Sequence, residues 1–254
     1  VKIFKKKLGS IRVEIESNWE NCVHESDWVL TGTSWQSDLE HKVLALANKY
    51  NKYTISFLDH WINYEERFNW FGKSILPKEI WVGDKSALSL AQSIFKNTKV
   101  SFIKNPYWNE LRSYEKKFNK NLDENRKKRI LYLSNNIDDD VEKFSNDITL
   151  TDKKLFILAI KLIEKRFNYP ENISLSVRLH PSENQDKYND LSSKYQFKID
   201  KNNDILDSFK EHYCVVGCES MGLVIAKLLN LEVHNIKLDS VDQVIPIDEI
   251  SSLN

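Results

Sequence analysis

Cysteine, uncompensated charge and long apolar runs are all scarce in this chain, and each scarcity removes a class of function. The three cysteines, Cys22, Cys214 and Cys218, are too few and too irregularly spaced for a disulfide framework or a zinc site. Such usage fits a reducing compartment, so the expected location is cytoplasmic. Basic and acidic side chains number 37 each, and with a formal net charge of zero no global basic field points to nucleic acid. No apolar run approaches the length of a membrane span. Lys5-Lys6-Lys7 is not followed by an apolar stretch, so no secretory signal is expected.

What is present is ample core material. Apolar residues make up 41% of 254 positions, enough for one large α/β domain or two modest ones. Trp28-Val29-Leu30 reads as a short strand ending at Thr31-Gly32-Thr33-Ser34. Leu39, Val43, Leu44, Leu46 and Ala47 then fall on one helical face, with Ser37 or Asp38 as its cap, and Tyr53–Leu58 alternates as a strand that closes on Asp59-His60. The theme repeats: a strand at Ile80-Trp81-Val82, a turn at Gly83–Ser86, a helix over Ala87–Phe95 and a strand at Val100–Ile103. Lys104-Asn105-Pro106-Tyr107 reads as a stop. The charged segment Asn109–Lys128 reads as a solvated helix and connector, and is the expected domain boundary.

Beyond it, strands are expected at Arg129–Ser134, Ile173–Leu179, Phe197–Ile199 and Leu231–Ile236, with helices over Leu155–Phe167 and Asp204–Phe209. The acidic run Asp138-Asp139-Asp140 reads as a solvated loop or helix start. Everything in this half converges on Tyr213–Asn230, a buried strand, a tight turn over Gly217–Gly222 and a helix from about Leu223. A helix start of this kind attracts anions, because its first amides lack partners and the dipole is positive there. A second polar turn, His180-Pro181-Ser182-Glu183, closes the strand at Ser174–Arg178. Two such turns side by side at the edge of a parallel sheet would form a phosphate-binding mouth. The expected fold class is therefore α/β, with two Rossmann-like domains at residues 1–110 and 125–254 facing across a cleft.

Several phrases carry a resemblance. Arg178-Leu179-His180-Pro181-Ser182-Glu183 resembles the His-Pro motif of bacterial GT-B transferases that use CMP-activated sialic acid or Kdo, and Val215–Ala226 is similar to their later strand–turn–helix. Thr31–Glu40 and Phe57–Phe68 resemble the acceptor-side half of surface-polysaccharide transferases; Leu76–Asp84 and Ile103–Tyr107 are similar to segments common in GT-B-like proteins. The Asp/Glu-Asp/Glu-Gly base motif of some sialyltransferases is missing, unless Asp59-His60 substitutes for it.

The resemblance implies a glycosyltransferase that moves a sugar, a CMP-linked acidic one favoured, from a nucleotide donor to a surface glycan or glycolipid. His180, Pro181, Ser182, Glu183, Gly217, Glu219, Ser220, Met221 and Gly222 would form the donor side, with His180 and Ser220 on the leaving phosphate. Asp59 would be the catalytic base, with Glu40 the second choice, because inverting transfer needs a proton acceptor at the attacking hydroxyl. Thr33, Ser34, Ser37, His60 and Arg67 would line the acceptor side. Each has a plainer reading: Asp59 and Glu40 as caps, His60 as packing, Arg67 as a helical ion pair. No cofactor and no metal are expected, since no spaced carboxylate pair suits magnesium. The expected partners are the nucleotide-sugar donor and the acceptor; nucleic acid is not among them, and peripheral membrane contact stays open. A sugar-nucleotide epimerase or hydrolase, and a catalytically silent nucleotide-sugar-binding domain, remain alternatives.

Overall fold

A computed structural model describes residues 17–34, 37–118, 126–136, 151–236 and 245–246. The chain divides into two compact units, Val1–Lys104 and Asn105–Asn254. Both are α/β with wholly parallel main sheets, as expected from the alternation of strands and helices. Among the described residues no helix is long and apolar enough to cross a membrane. The acidic run Asp138-Asp139-Asp140 lies outside the described residues.

The first unit carries a four-stranded sheet in the order β1-β2-β5-β6, formed by Trp28–Thr31, Tyr53–Leu58, Glu79–Val82 and Lys99–Phe102. Helix α1 (Trp19–Glu25) precedes it, α2 (Leu39–Lys49) joins β1 to β2, and α3 (Lys85–Ile94) joins β5 to β6. Asp84 caps α3 by accepting from the Ala87 amide at 2.7 Å, one of the donors a helix start leaves unpaired. Two elements escape the sequence pattern. Helix α1 is a short seven-residue piece with one buried side chain, Val23, and a small hairpin, β3 (Asn69–Trp70) with β4 (Lys73–Ser74), turns through Phe71 and Gly72 at positive φ.

The second unit has five strands in the order β11-β10-β7-β8-β9. These are β7 (Arg129–Leu133), β8 (Ser174–Arg178), β9 (Phe197–Ile199), β10 (Cys214–Gly217) and β11 (Glu232–Asn235). The first strand in sequence sits centrally, with later strands added first on one side and then on the other. That reversal is the topological switch point of a doubly wound sheet, and ligands bind outside the strand C-termini there. Here it lies between β7 and β10.

Helix α4 (Pro106–Phe118) belongs to this second unit and packs against α7 (Met221–Leu228), burying Trp108 and Leu111. The division thus precedes the charged segment, because two apolar anchors at its start hold the helix down. Pro106 opens that helix; its missing N–H costs nothing at a first helical position. Helix α5 (Asp152–Phe167) is capped by Thr151 and ends on Asn168 in the left-handed region, φ 54°. It places Phe156 against Tyr132, Tyr188 and Phe197 at ring separations of 5.0, 4.9 and 5.1 Å. Each such pair adds about 0.5–1.5 kcal/mol beyond the area buried. Helix α6 (Ile205–Glu211) completes the unit.

Candidate functional site

In the second unit, the two turns singled out by sequence follow β8 and β10, with β7 between them. The end of β7 ties to both. Ser134 Oγ donates to Glu183 Oε1 at 2.9 Å and lies 2.6 Å from the Tyr188 hydroxyl, while Asn135 Nδ2 donates to the Cys218 carbonyl at 2.5 Å. Asn135 Oδ1 is buried and has no hydrogen-bond partner among the described residues. A buried acceptor left open costs about 1–3 kcal/mol relative to a paired one. It sits at the switch point.

The His180 turn is locked from inside. Glu183 Oε2 accepts from the His180 amide at 2.6 Å, and the Glu183 amide donates back to the His180 carbonyl at 2.9 Å. Glu183 Oε1 also accepts from Lys187 Nζ at 2.5 Å, and Lys187 pairs in turn with the fully buried Asp152. Burial alone would lower the Lys187 pKa, but its bonds to Asp152 and Glu183 outweigh that and raise it. The Glu183 carboxylate therefore faces inward, its side chain 1% exposed. His180, Pro181 and Ser182 are the exposed residues of the turn. His180 Nδ1 accepts from the Ser182 amide at 3.3 Å and meets Ser182 Oγ at 2.7 Å. With Nδ1 an acceptor, the neutral ring carries its proton on Nε2, which makes that nitrogen a donor.

The β10 turn is built differently. Glu219 adopts φ 40°, a left-handed conformation uncommon outside glycine. Bonds to the chain hold it: its amide donates to Asn235 Oδ1 at 3.0 Å, Oε1 accepts from Asn235 Nδ2 at 2.6 Å, and Oε2 accepts from the Ile245 amide at 2.9 Å. Its carboxylate is thus engaged with the chain itself. Ser220 caps α7, with Oγ accepting from the Gly222 amide at 3.2 Å. A Cβ at Gly222 would fall 2.5 Å from Leu133 Cδ1 and 3.2 Å from Ile205 Cδ1, so this glycine lets the helix approach β7 closely. Gly217 is buried and Met221 half-buried beside them.

No protein-family model matches the chain, and no curated protein matches it. Three solved structures similar to it are of the wall teichoic acid polymerase TagF. One variant gives a TM-score of 0.46 at 14% identity over 89% of this chain and 58% of that one. The same variant soaked with CDPG gives 0.45 at 15% identity over 89% and 57%. A second variant gives 0.39 at 13% identity over 76% and 52%. This chain spans a little over half the length of those it matches. Scores below one half at such identities establish no shared activity.

In the first unit, the structure gathers Thr33, Asp59 and Arg67 after β1 and β2. Arg67 is the hub. Its buried guanidinium donates through Nη1 to the Thr33 carbonyl at 2.8 Å and through Nε to the Ile62 carbonyl at 2.9 Å, and it lies 3.4 Å from Asp59 Oδ1. His41 Nε2 meets the Arg67 carbonyl at 3.0 Å. Thr33 Oγ1 donates to the Phe57 carbonyl at 3.2 Å. Asp59 itself is open to solvent, its side chain 69% exposed.

Glu40 Oε2 accepts from the Ser34 amide at 2.7 Å, and its Oε1 occupies the space beside Gly32 where a Cβ would sit, 2.6 Å away. It closes the β1 loop. Ser37 is exposed and accepts from the Leu39 amide at 3.2 Å. His60 Nδ1 accepts from the Trp61 amide at 3.0 Å. Burial, with the nearby Arg67 charge second, lowers its pKa to about 4 against a weaker pull from Asp59.

Sequence reasoning passed over Ser134, Asn135, Lys187 and Asp152, and cast Arg67 as a ligand residue. The available signal was topological: in a doubly wound sheet the strand first in sequence ends at the switch point. Arg67 gave no signal, because its acceptors are backbone carbonyls, which any residue supplies.

Proposed function

We propose that the chain is a glycosyltransferase that moves a sugar from a nucleotide-activated donor, a CMP-linked acidic sugar favoured, to a surface-glycan or glycolipid acceptor without a catalytic metal. The observation that carries the donor half is the open, buried Oδ1 of Asn135 at the β7/β10 switch point. It lies between a capped helix start on one side and an exposed histidine turn on the other. A ribose hydroxyl or a cytosine amino group is the class of donor that would complete it. The Nε2 proton of His180 and the Ser220 helix start would stabilise the departing phosphate, where charge grows in the transition state. Glu183 and Glu219 would hold these turns in shape rather than touch the nucleotide.

The transferase half rests on the phrase resemblance and on Asp59, exposed and fixed at its base by Arg67. Asp59 would take the proton of the attacking hydroxyl, with Thr33 and His60 nearby on the acceptor side. The epimerase or hydrolase reading needs a free carboxylate around the β10 turn. Glu219 has both oxygens bonded to Asn235 and Ile245, which counts against it.

The test is transfer and nucleotide binding measured in parallel on Asp59→Asn. The expected outcome is unchanged CMP binding with loss of transfer by at least about 100-fold, the scale of general-base catalysis. Wild-type turnover in that variant removes Asp59 as the base. CMP binding without turnover in either form favours a silent binding domain.

A further inference from the structure

On the second sheet, three metal-ligating side chains from the adjacent strands β10 and β11 converge. Cys214 opens β10 and pairs in parallel register with Glu232, which opens β11. His234, paired with Val216, lies two residues further on, so all three side chains share one face of the sheet. Cys214 Sγ, a Glu232 carboxylate oxygen and an imidazole nitrogen of His234 all lie within 4.8 Å of one another. Cysteine spacing along the chain gave no hint of this, because the other two donors arrive by strand pairing.

We propose that Cys214, Glu232 and His234 bind one zinc ion, which staples the edge strand β11 to β10. One sulfur, one nitrogen and one oxygen donor form a borderline-soft set suited to Zn²⁺ rather than Mg²⁺ or Ca²⁺. Tetrahedral zinc stands about 2.0–2.3 Å from each ligand, so small side-chain rotations bring these atoms onto one ion. Cys214 is fully buried, whereas the Glu232 side chain is 33% and His234 13% exposed, which leaves the fourth position to water from the Glu232 side. The site is separate from the nucleotide mouth and takes no part in the proposed transfer.

The contacts around the cluster show what binding must displace. His234 Nε2 meets Glu232 Oε1 at 2.8 Å, and Nδ1 accepts from Arg166 Nη1 at 3.0 Å, so the proton of the neutral ring sits on Nε2. Tyr213 also hydrogen-bonds Glu232, and Phe167 stands edge-on to the His234 ring at 5.5 Å. Coordination through Nε2 moves that ring proton to Nδ1, which ends the Arg166 bond, and releases the Cys214 thiol proton to solvent. Among the described residues, the charges facing the site are Glu232, in favour, and Arg166, against.

Cobalt titration tests this, because a thiolate ligand gives Co²⁺ a sulfur-to-metal charge-transfer band. The protein carries Cys22→Ser, since Cys22 is the exposed thiol. We expect a band that saturates at one equivalent and is displaced by zinc. Zinc should also raise Tm. Cys214→Ser should abolish the band, and His234→Gln, on a partly exposed edge strand, should weaken binding at least about tenfold. Arg166→Gln should tighten binding several-fold by removing the opposing charge. Absence of the band, its survival in Cys214→Ser, or weaker binding in Arg166→Gln overturns the proposal.

Discussion

Arg67 shows how one buried cation organises exposed chemistry. Its guanidinium binds the backbone carbonyls of Thr33 and Ile62, and it reaches Asp59 at the surface. Arg67→Ala should cost about 2–4 kcal/mol in urea unfolding, since it strands two carbonyl acceptors and leaves a cavity. Arg67→Lys should recover only part, because an ammonium cannot reproduce the planar fork. His60 sets a pH signature. Its pKa is about 4 when folded against 6.5 unfolded, so the unfolded state binds more protons in that interval. Stability is fully present above pH 6.5 and falls as pH drops through 6.5 towards about 4. His212, also depressed by burial, adds to the fall in the same direction. His60→Gln should flatten the stability curve in this window; an unchanged slope would mean that His60 protonates freely in the folded protein.

At the scale of elements, the donor mouth depends on how closely α7 approaches β7 and on how firmly the His180 turn is anchored. Gly222→Ala pushes a methyl against the tip of Leu133, a flexible side chain that yields at some cost. The expected loss is about 1–3 kcal/mol, read as a lower Tm. Glu183→Gln keeps the shape but removes the charge that pairs with Lys187 and binds the His180 amide. It should lower stability by about 1–3 kcal/mol and weaken CMP binding through the displaced turn. The strands and longer helices of both units were legible in the sequence. Tyr53–Leu58 and Ser174–Arg178 alternate or run apolar, and Leu155–Phe167 repeats at helical spacing. The hairpin around Phe71 was not, since two-residue strands carry no period to detect. Nor was the cross-strand meeting of Cys214 with His234, because register is set by pairing and not by separation along the chain.

Over the whole molecule, each unit has its own sheet, and the proposed labour divides between them, donor in the second and acceptor in the first. The sequence pointed to both sets of loops because polar residues cluster where strands end. It could not rank the residues within them. Glu183 and Glu219 read in the sequence as donor-binding residues and Glu40 as the second choice of base, yet each is bonded to neighbouring amides. Asn135 looks like a loop residue, yet it holds the open acceptor at the switch point. The most direct test is calorimetric titration with CMP, alongside CDP, UDP and GDP, of the wild type and of Asn135→Ala, His180→Ala and Ser220→Ala. Expected are a preference for CMP and a loss of about tenfold or more in each variant, measured where all four proteins are folded, because Ser220→Ala also removes the α7 cap and Asn135→Ala the bond to the Cys218 carbonyl. CMP binding that is absent, or equal in all four proteins, contradicts the donor assignment.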